Sequence, residues 1–228
     1  MKNDKYLSST GLKLIAMVTM LIDHFAFVFN QTIINHPGIY YLMRAIGRIS
    51  FPLFAFVLVE GFIHTKNFKK YIVRIFIFAL LTEVIFDLAF YNSFFYWQHQ
   101  NVLFTFLLGL VVLKLSKYYE EQGVYLVIVI LLSAFAELIR ADYGILGILT
   151  IYLIHSFRHN YKMLAITLIM INVILSIGSI ESLIQSFAGL SLIFIYLYNG
   201  NKGYNLKYLF YLFYPLHLLV FYLVKIIF

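Results

Sequence analysis

Residues 17–30 read MVTMLIDHFAFVFN, and they lie inside an apolar run from Leu12 to Phe29 that is long enough to cross a lipid bilayer. At the middle of this run, Asp23 and His24 stand side by side. An ionisable side chain at that depth costs roughly 3 kcal/mol even on lenient insertion scales, so it persists where a cavity, a partner or a reaction needs it. The stretch therefore predicts a membrane helix that carries a functional group.

The composition of the whole chain is that of an integral membrane protein. Of its 228 residues, 63% are hydrophobic and only 12% are charged, and the mean hydropathy is +0.89. This leaves too little polar surface to cover a soluble domain. The chain has no cysteine, which excludes disulfide scaffolds, thiolate metal sites and a cysteine nucleophile. The net charge of +7 is spread over short loops, so we expect no nucleic-acid partner.

Apolar runs separated by polar loops predict about nine helices within a single integral-membrane domain, residues 1–228. Several runs are shorter than the usual spanning length of about 20 residues, so eight or ten spans stay open as alternatives. The fold class is therefore all-α, a polytopic transmembrane helical bundle. The nine predicted spans are residues 11–34, 39–62, 70–91, 101–116, 123–139, 143–157, 163–177, 182–198 and 207–227.

The charges of the loops predict one orientation in the membrane. Lysines and arginines gather in alternate loops, and the loops between them carry Arg140 as their only base. Under the positive-inside rule, the amino terminus is cytoplasmic and the carboxyl terminus lies outside. No small-residue cleavage site follows the first apolar run, so we expect this run to stay as a helix. The sequence therefore predicts a multi-pass protein of the cell membrane.

Two pairs of opposite charge are predicted to share a depth in the second and third spans. Arg44 and Arg48 lie one helical turn apart, and so do Glu83 and Asp87. With a rise of about 1.5 Å per residue, both pairs fall roughly 6 to 14 Å below the outer end of the bundle. We expect the arginines and the acids to form one buried network, because four unpaired charges would be untenable there. Simple stapling of two helices is the alternative reading.

Other polar residues are predicted near the same depth. Asn101 and Thr105 enter from the outer start of the fourth span, and His217 lies near the middle of the last span. Taken alone, a neutral His217 could serve only the packing of its helix. Asp23 and His24 are harder to explain by packing, because an acid beside an imidazole has no structural need to be in lipid.

The spacing of Lys13 and His24 indicates a ligand. Eleven steps along a helix bring the second side chain to within about 20° of the first, at about 16 Å along the axis. A cation at the cytoplasmic mouth and an imidazole at mid-depth fit a ligand with an anionic head and a long thin arm, and coenzyme A has that shape. A lysine that merely snorkels to the membrane interface is the alternative.

Four stretches of this chain resemble the TraX family, membrane proteins named for acetylation of conjugative pilin. The spacing of Lys13 and His24 is also similar to the basic-x10-His signature of membrane acyltransferases that modify surface glycans. YPLH, at residues 214–217, resembles the closing helix of that wider group. The stretches that resemble TraX are GLKLIAMVTMLIDHFAF at 11–27, MRAIGRISFPLFAFVLVEGFIHT at 43–65, RIFIFALLTEVIFDLAF at 74–90 and NVLFTFLLGL at 101–110.

The resemblance implies an acyl-CoA-dependent O- or N-acetyltransferase with His24 at its centre. Acetyl-CoA would be the donor, without a metal, and the acceptor would be a cell-surface glycan or a peptide N-terminus. His24 would act as the general base or carry the acetyl group itself, Asp23 or Glu83 would orient its ring, and Arg48 would stabilise the oxyanion. We predict the catalytic residues His24, Asp23, Arg48 and Glu83, the coenzyme-binding residues Lys13, Arg44, Lys66 and Lys70, and the substrate-binding or supporting residues Asp87, Glu60, Asn101 and His217.

Three other functions are compatible with some of these residues. A proton-coupled small-molecule transporter also places acids, histidines and arginines in the membrane, although it usually shows inverted repeats or broken paired helices, and the sequence shows neither. A metal site is conceivable from Asp23, His24 and His217, but no helix carries a spaced histidine pair. A purely structural subunit has no need of six ionisable groups at one depth. Binding of acetyl-CoA to the purified protein separates the enzyme from the transporter and the structural subunit.

The orientation gives a first prediction. Because the lysine and arginine asymmetry requires an odd number of crossings with the amino terminus inside, a reporter fused after Phe228 should be active only if it functions outside the cytoplasm. A second fusion at the same residue, with a reporter that works only in the cytoplasm, is the control. Activity of that second fusion alone would overturn the orientation.

Overall fold

The protein, seen as a computed structural model, is described over residues 5–33, 35–119, 121–174 and 180–227, and these residues form a bundle of α-helices. In this part of the chain, extended pairing is limited to two isolated bridges, Leu7 with Tyr198 and Gln100 with Ala141. The helices are α1 Ser9–Val28, α2 Asn30–Ile33, α3 Pro37–Gly47, α4 Ser50–His64, α5 Phe68–Tyr91, α6 Val102–Leu115, α7 Gln122–Leu138, α8 Gly144–Phe157, α9 Tyr161–Ile174, α10 Ile180–Gln185, α11 Ser191–Tyr196 and α12 Lys207–Ile227. A 3₁₀ turn, Ser186–Leu190, joins α10 to α11.

The predicted helical bundle is confirmed, and each predicted span corresponds to helix in the described residues. Three spans need correction, because 11–34 is divided into α1 and α2, 39–62 is divided into α3 and α4, and 182–198 is divided by the 3₁₀ turn. The ends of the spans 11–34 and 163–177 lie outside the described residues. The division of the second span follows from Pro52, which has no N–H to offer to the carbonyl of residue 48 and whose ring crowds that carbonyl. The helix therefore ends at Gly47 and starts again at Ser50.

Helix α1 lies at the heart of the arrangement, in contact with α3, α4 and α12. It begins at a capped end, where the Ser8 side chain accepts a hydrogen bond from the N–H of Gly11. Farther along, Ser50 Oγ donates to the carbonyl of Ala16 at 2.9 Å, which joins the start of α4 to α1. Helix α4 is buried along most of its length and also contacts α6, α8 and α11. These contacts place one face of α1 against buried helices rather than lipid.

The two ends of the bundle differ in charge. At the end that we name the basic end, Lys13, Lys114 and Lys202 lie beside the end of α4 and the start of α5. The loop 197–204 is bound there to the chain before and within α1, since Thr10 Oγ1 donates to the carbonyl of Lys202 at 2.9 Å. At the opposite end, the loop before α6 pairs with the loop before α8.

The outside of the bundle is apolar. Val18, Leu81, Ile130, Leu131 and Val220 are all more than half exposed, which suits lipid rather than water. Three helical segments are long and apolar enough to cross a membrane: Ser9–Val28, Pro37–His64 and Leu209–Ile227. Several other apolar helices have 10–17 residues, which is below the usual length of about 20. The apolar exterior and the long helices are those of a membrane protein.

Helices α6 and α8 approach each other closely because each has a glycine where it contacts the other, Gly109 on α6 and Gly147 on α8. A side-chain carbon added at Gly109 would collide with Ile151, and one added at Gly147 would collide with Thr105. Gly147 is also crowded by Tyr143 and Phe51. Since Thr105 is short and branched at Cβ, it has little freedom to move away.

This close approach gives a second prediction. Gly147→Ala should lower the free energy of unfolding by about 1–3 kcal/mol, because it overpacks the crossing of α6 and α8. The measurement is the thermal unfolding midpoint of the purified protein in detergent. Gly123→Ala is the matched control, since no atom lies within 4 Å of the added carbon, and it should leave the midpoint unchanged or raise it slightly. Equal midpoints for the two variants would contradict the prediction.

Candidate functional site

The most concentrated charge in the interior is an ion triad in which Asp23 binds two arginines. Its Oδ2 accepts a hydrogen bond from Arg44 Nη1 at 2.7 Å, and its Oδ1 accepts one from Arg48 Nη2 at 2.8 Å. The interruption between α3 and α4 places Arg48 at the turn. Gly47 leaves the room that Asp23 needs, because a side-chain carbon at residue 47 would collide with it. The triad therefore depends on the glycine at residue 47.

The predicted network of Arg44 and Arg48 with Glu83 and Asp87 is wrong, because the arginines pair with Asp23 instead. Glu83 on α5 is hydrogen-bonded to Asn101 instead, since the backbone N–H of Asn101 donates to Oε2 of Glu83 at 3.0 Å. The two acids face the start of α6 and the loop before it rather than α3, and Asp87 Oδ1 has no hydrogen-bond partner among the described residues.

Asp87 and Asn101 both make hydrogen bonds at the connection between α5 and α6. Asp87 accepts a hydrogen bond from the backbone N–H of Tyr96 at 2.8 Å. The Asn101 side chain caps α6 by accepting from the N–H of Leu103 at 3.0 Å, and its amide donates to the carbonyl of Ala79 at 2.9 Å. Both residues are buried and hydrogen-bonded, so they hold the α5–α6 connection in place.

His24 contacts another histidine rather than an acid. Its Nδ1 lies 2.8 Å from His217 Nε2, and the two rings are nearly parallel with centroids 5.0 Å apart. The prediction that Asp23 or Glu83 orients the His24 ring is wrong, because hydrogen bonds from the arginines and from Asn101 hold those carboxylates. The physical reason is helical rotation, since adjacent residues on α1 point about 100° apart.

His24 and the ion triad line a small cavity of about 100 Å³. Its wall is mostly aromatic. Polar side chains from the loops before α6 and α8 line the part of the cavity farthest from the basic end. Its lining includes the aromatic residues Phe54, Phe90, Phe106 and Tyr143, together with Met20, His99, Val102 and Asp142. A cavity of this size holds a small group and not a whole coenzyme.

A second and larger cavity, of about 630 Å³, extends from the basic end. Its polar lining includes Lys13, His64, Arg74 and Lys202, and its deeper lining is apolar. The volume falls within the roughly 300–1,000 Å³ that is usual for small-molecule sites. Among the described residues, no group of three histidines or acids could hold a metal ion.

The two cavities meet at shared side chains. Met20, Phe54, Val102 and Phe106 line both of them. Met20 lies one turn before His24 on α1, between Lys13 in the large cavity and His24 in the small one. The two cavities therefore adjoin along α1, with Lys13 in the lining of one and His24 in the lining of the other.

Three other predicted residues lie away from His24. Glu60 is at the basic end, where its carboxylate accepts hydrogen bonds from Arg158 at 2.9 Å and from Tyr198 at 3.1 Å. Glu60, predicted as a substrate-binding or supporting residue, lines the large cavity and not the cavity that His24 lines. Lys66 and Lys70 are exposed and do not line either cavity.

The small cavity also has residues that the sequence did not single out. His99 Nε2 lies 3.4 Å from Asp142 Oδ1. Burial lowers the pKa of His99, but the hydrogen bond and charge of Asp142, together with the charges of Glu83 and Asp87, outweigh this effect, so the pKa lies above its ordinary value. Tyr143 stacks on Phe51 with ring centroids 3.9 Å apart, and its φ of 64° is unusual for a residue other than glycine. The polar loops YWQHQN and IRADYG, at 96–101 and 139–144, were the available signal.

Comparisons with known proteins agree with the stretches quoted above. A family model described as TraX protein matches residues 8–225. The probable fimbrial assembly protein FimC, serogroup H1, of Dichelobacter nodosus is 30% identical to this chain over an alignment of 231 positions, and the alignment covers 92% of this chain and 93% of that protein. No solved structure matches this chain significantly. Since the family model spans almost the entire chain, this protein belongs to the TraX family.

Proposed function

We propose that this protein transfers an acetyl group from cytoplasmic acetyl-CoA to a hydroxyl or amine acceptor, with His24 as the base. The observation that carries the proposal is the junction of the two cavities. A coenzyme-sized cavity with a basic mouth adjoins a cavity that holds only a small group and an imidazole. A thioester that enters from the basic end would bring its carbonyl carbon to His24.

The large cavity supports coenzyme A as the donor. Lys13, Arg74 and Lys202 supply positive charge where the phosphates would lie. Arg74 Nη1 donates to the hydroxyl of Tyr211 at 3.1 Å, which holds its guanidinium at the wall. The deeper wall is apolar and suits the uncharged pantetheine arm. Lys66 and Lys70 would then act on the coenzyme only through long-range attraction, because they are exposed outside the cavity.

The ion triad supports the chemistry through its net charge. Two guanidinium groups and one carboxylate leave one positive charge beside the small cavity. In a site that excludes water, this charge would stabilise the oxyanion that develops on the thioester carbonyl. Arg48 is the arginine that we expect to face the oxyanion, with Arg44 behind it. Asp23 would serve by holding both arginines rather than by contacting His24.

The acceptor would enter from the opposite end, past His99, Asp142 and Tyr143, which line the small cavity on that side. The relative from Dichelobacter nodosus is named as a probable fimbrial assembly protein, which supports a pilin-related role for this chain. A peptide N-terminus and a surface glycan both present the nucleophile that the proposal requires.

A two-sided site also requires a particular membrane arrangement. The chain would cross the cell membrane several times, with the basic end on the cytoplasmic side, where acetyl-CoA is available. The shorter helices, such as α6 and α8, would cross with the aid of the tilted and buried packing around them.

The central test is acetyl transfer by a His24→Ala variant. Membranes with the wild-type protein should pass label from acetyl-CoA to an acceptor, and the variant should lose this transfer by at least about 100-fold, because a general base acts in the transition state. Coenzyme binding should persist, since the base is not needed for docking. His159→Ala is the matched control, because His159 is exposed and lines neither cavity. Transfer by the His24→Ala variant at the wild-type rate would refute the mechanism.

A separate prediction concerns coenzyme binding at the basic end. Lys13→Ala should raise the dissociation constant for acetyl-CoA about tenfold, equivalent to about 1.4 kcal/mol, because one cation in the cavity is lost. Isothermal titration of the purified protein measures this constant. Lys69→Ala is the control, since Lys69 is exposed at the same end and lies outside the cavity, and it should change the constant by less than about twofold. If the two substitutions changed the dissociation constant equally, the prediction would be wrong, and Lys13 would serve only to anchor α1 at the membrane interface.

A further inference from the structure

The pair His24 and His217 is fixed from several sides. The His217 ring stacks on Phe213 with centroids 4.6 Å apart, and Phe221 meets it edge-on at 5.8 Å. Phe90 meets the His24 ring edge-on at 5.2 Å. With little room to rotate, the two rings keep the contact between His24 Nδ1 and His217 Nε2 at 2.8 Å.

The proton positions in this pair follow from a backbone carbonyl. His217 Nδ1 lies 2.6 Å from the carbonyl oxygen of Phe213, and a carbonyl can only accept, so Nδ1 of His217 carries a proton. His217 is buried, with 7% of its surface exposed, and no carboxylate of the described residues contacts it, which favours the neutral ring. Its Nε2 is then unprotonated and accepts a hydrogen bond.

The donor to His217 must therefore be Nδ1–H of His24. A neutral imidazole has one N–H, so Nε2 of His24 bears a lone pair. Within the described residues, no protein group is hydrogen-bonded to that nitrogen. His24 also lines the small cavity, where the reacting groups would meet.

We infer that His217 is a positioning residue, which fixes the tautomer of His24 so that Nε2 is the basic nitrogen. The chain of hydrogen bonds runs from the Phe213 carbonyl through His217 to His24. His217 thereby takes the place that a carboxylate holds in many catalytic triads. This inference rests on the proposed acetyl transfer for its consequence, although the tautomer itself can be measured without any reaction.

The assignment specifies the proton transfers of the reaction. The acceptor's O–H or N–H proton moves to Nε2 of His24 as its oxygen or nitrogen forms a bond to the thioester carbonyl carbon. The C–S bond of the resulting tetrahedral intermediate then breaks, and the thiolate takes the proton from Nε2. Throughout, the Nδ1–H of His24 stays directed at His217, which disperses the positive charge of the transient imidazolium.

Two substitutions at residue 217 separate this role from packing. His217→Leu removes the acceptor, so kcat should fall about 100-fold while KM for acetyl-CoA changes by less than about threefold. His217→Gln offers an amide oxygen that can accept from His24, and it should recover activity to within about tenfold of the wild type. Leu216→Ala is the control, because Leu216 precedes His217 on the same helix, is 51% exposed and lines neither cavity, and its kcat should stay within about threefold of wild type.

Nitrogen-15 NMR of labelled protein without substrate gives a second, independent measurement. Signals of His24 are assigned by their loss in the His24→Ala variant, against the other six of the seven histidines. We expect a protonated Nδ1 and an unprotonated Nε2 at neutral pH, and we expect His217→Leu to abolish this pattern while His217→Gln retains it.

The outcomes distinguish the inference from the proposed function. If the wild-type protein transfers no acetyl group but the NMR pattern is present, the proposed function fails and the tautomer assignment stands. If transfer occurs and His217→Leu keeps both the wild-type kcat and the wild-type pattern, His217 is only a packing residue and the inference is overturned. Equal losses of kcat in His217→Leu and His217→Gln, with an unchanged NMR pattern in both, would overturn it as well.

Discussion

The carboxylate of Asp23 neutralises two guanidinium groups inside the bundle, and the orientation of α1 depends on this ion triad. Loss of one partner from such a buried group typically costs about 3–5 kcal/mol, which is a large share of the stability of an ordinary domain. With Asp23 held against α3 and the turn that follows it, α1 cannot rotate. His24 is the next residue, about 100° further round the helix, and it therefore points to α12 and His217.

The turn between α3 and α4 is part of the site because it carries Arg48. Arg48 and Ile49 keep helical dihedral angles, with φ of −59° and −64°, although Pro52 has no N–H to donate to the carbonyl of residue 48. Just beyond the arginines, Ser50 donates to the carbonyl of Ala16, so the start of α4 is bound to α1. One proline therefore marks the boundary of α3 and α4 beside the ion triad.

The sequence was sufficient for the helical bundle and for the shared depth of Asp23, His24 and the arginines, because hydropathy and helical rise depend only on position along the chain. It was insufficient for the pairing, because partners depend on how each helix is rotated and on which helices are neighbours. Glu83 and Arg48 were predicted to pair, but Glu83 faces the start of α6 and Arg48 faces α1. Lys66 has the charge expected of the basic end, yet charge does not show which side chains turn into a cavity.

The absence of a side chain at Gly47 has an evolutionary consequence. The Asp23 side chain fills the space that a Cβ at residue 47 would need, so the two positions constrain each other across two helices. An alanine at residue 47 becomes acceptable only in a chain where residue 23 has already become smaller. That earlier change would leave Arg44 and Arg48 without the carboxylate that neutralises them. Each single step is harmful although a combined change need not be. Drift at these four positions is therefore contingent on order, and lineages would tend to keep or exchange them as a set.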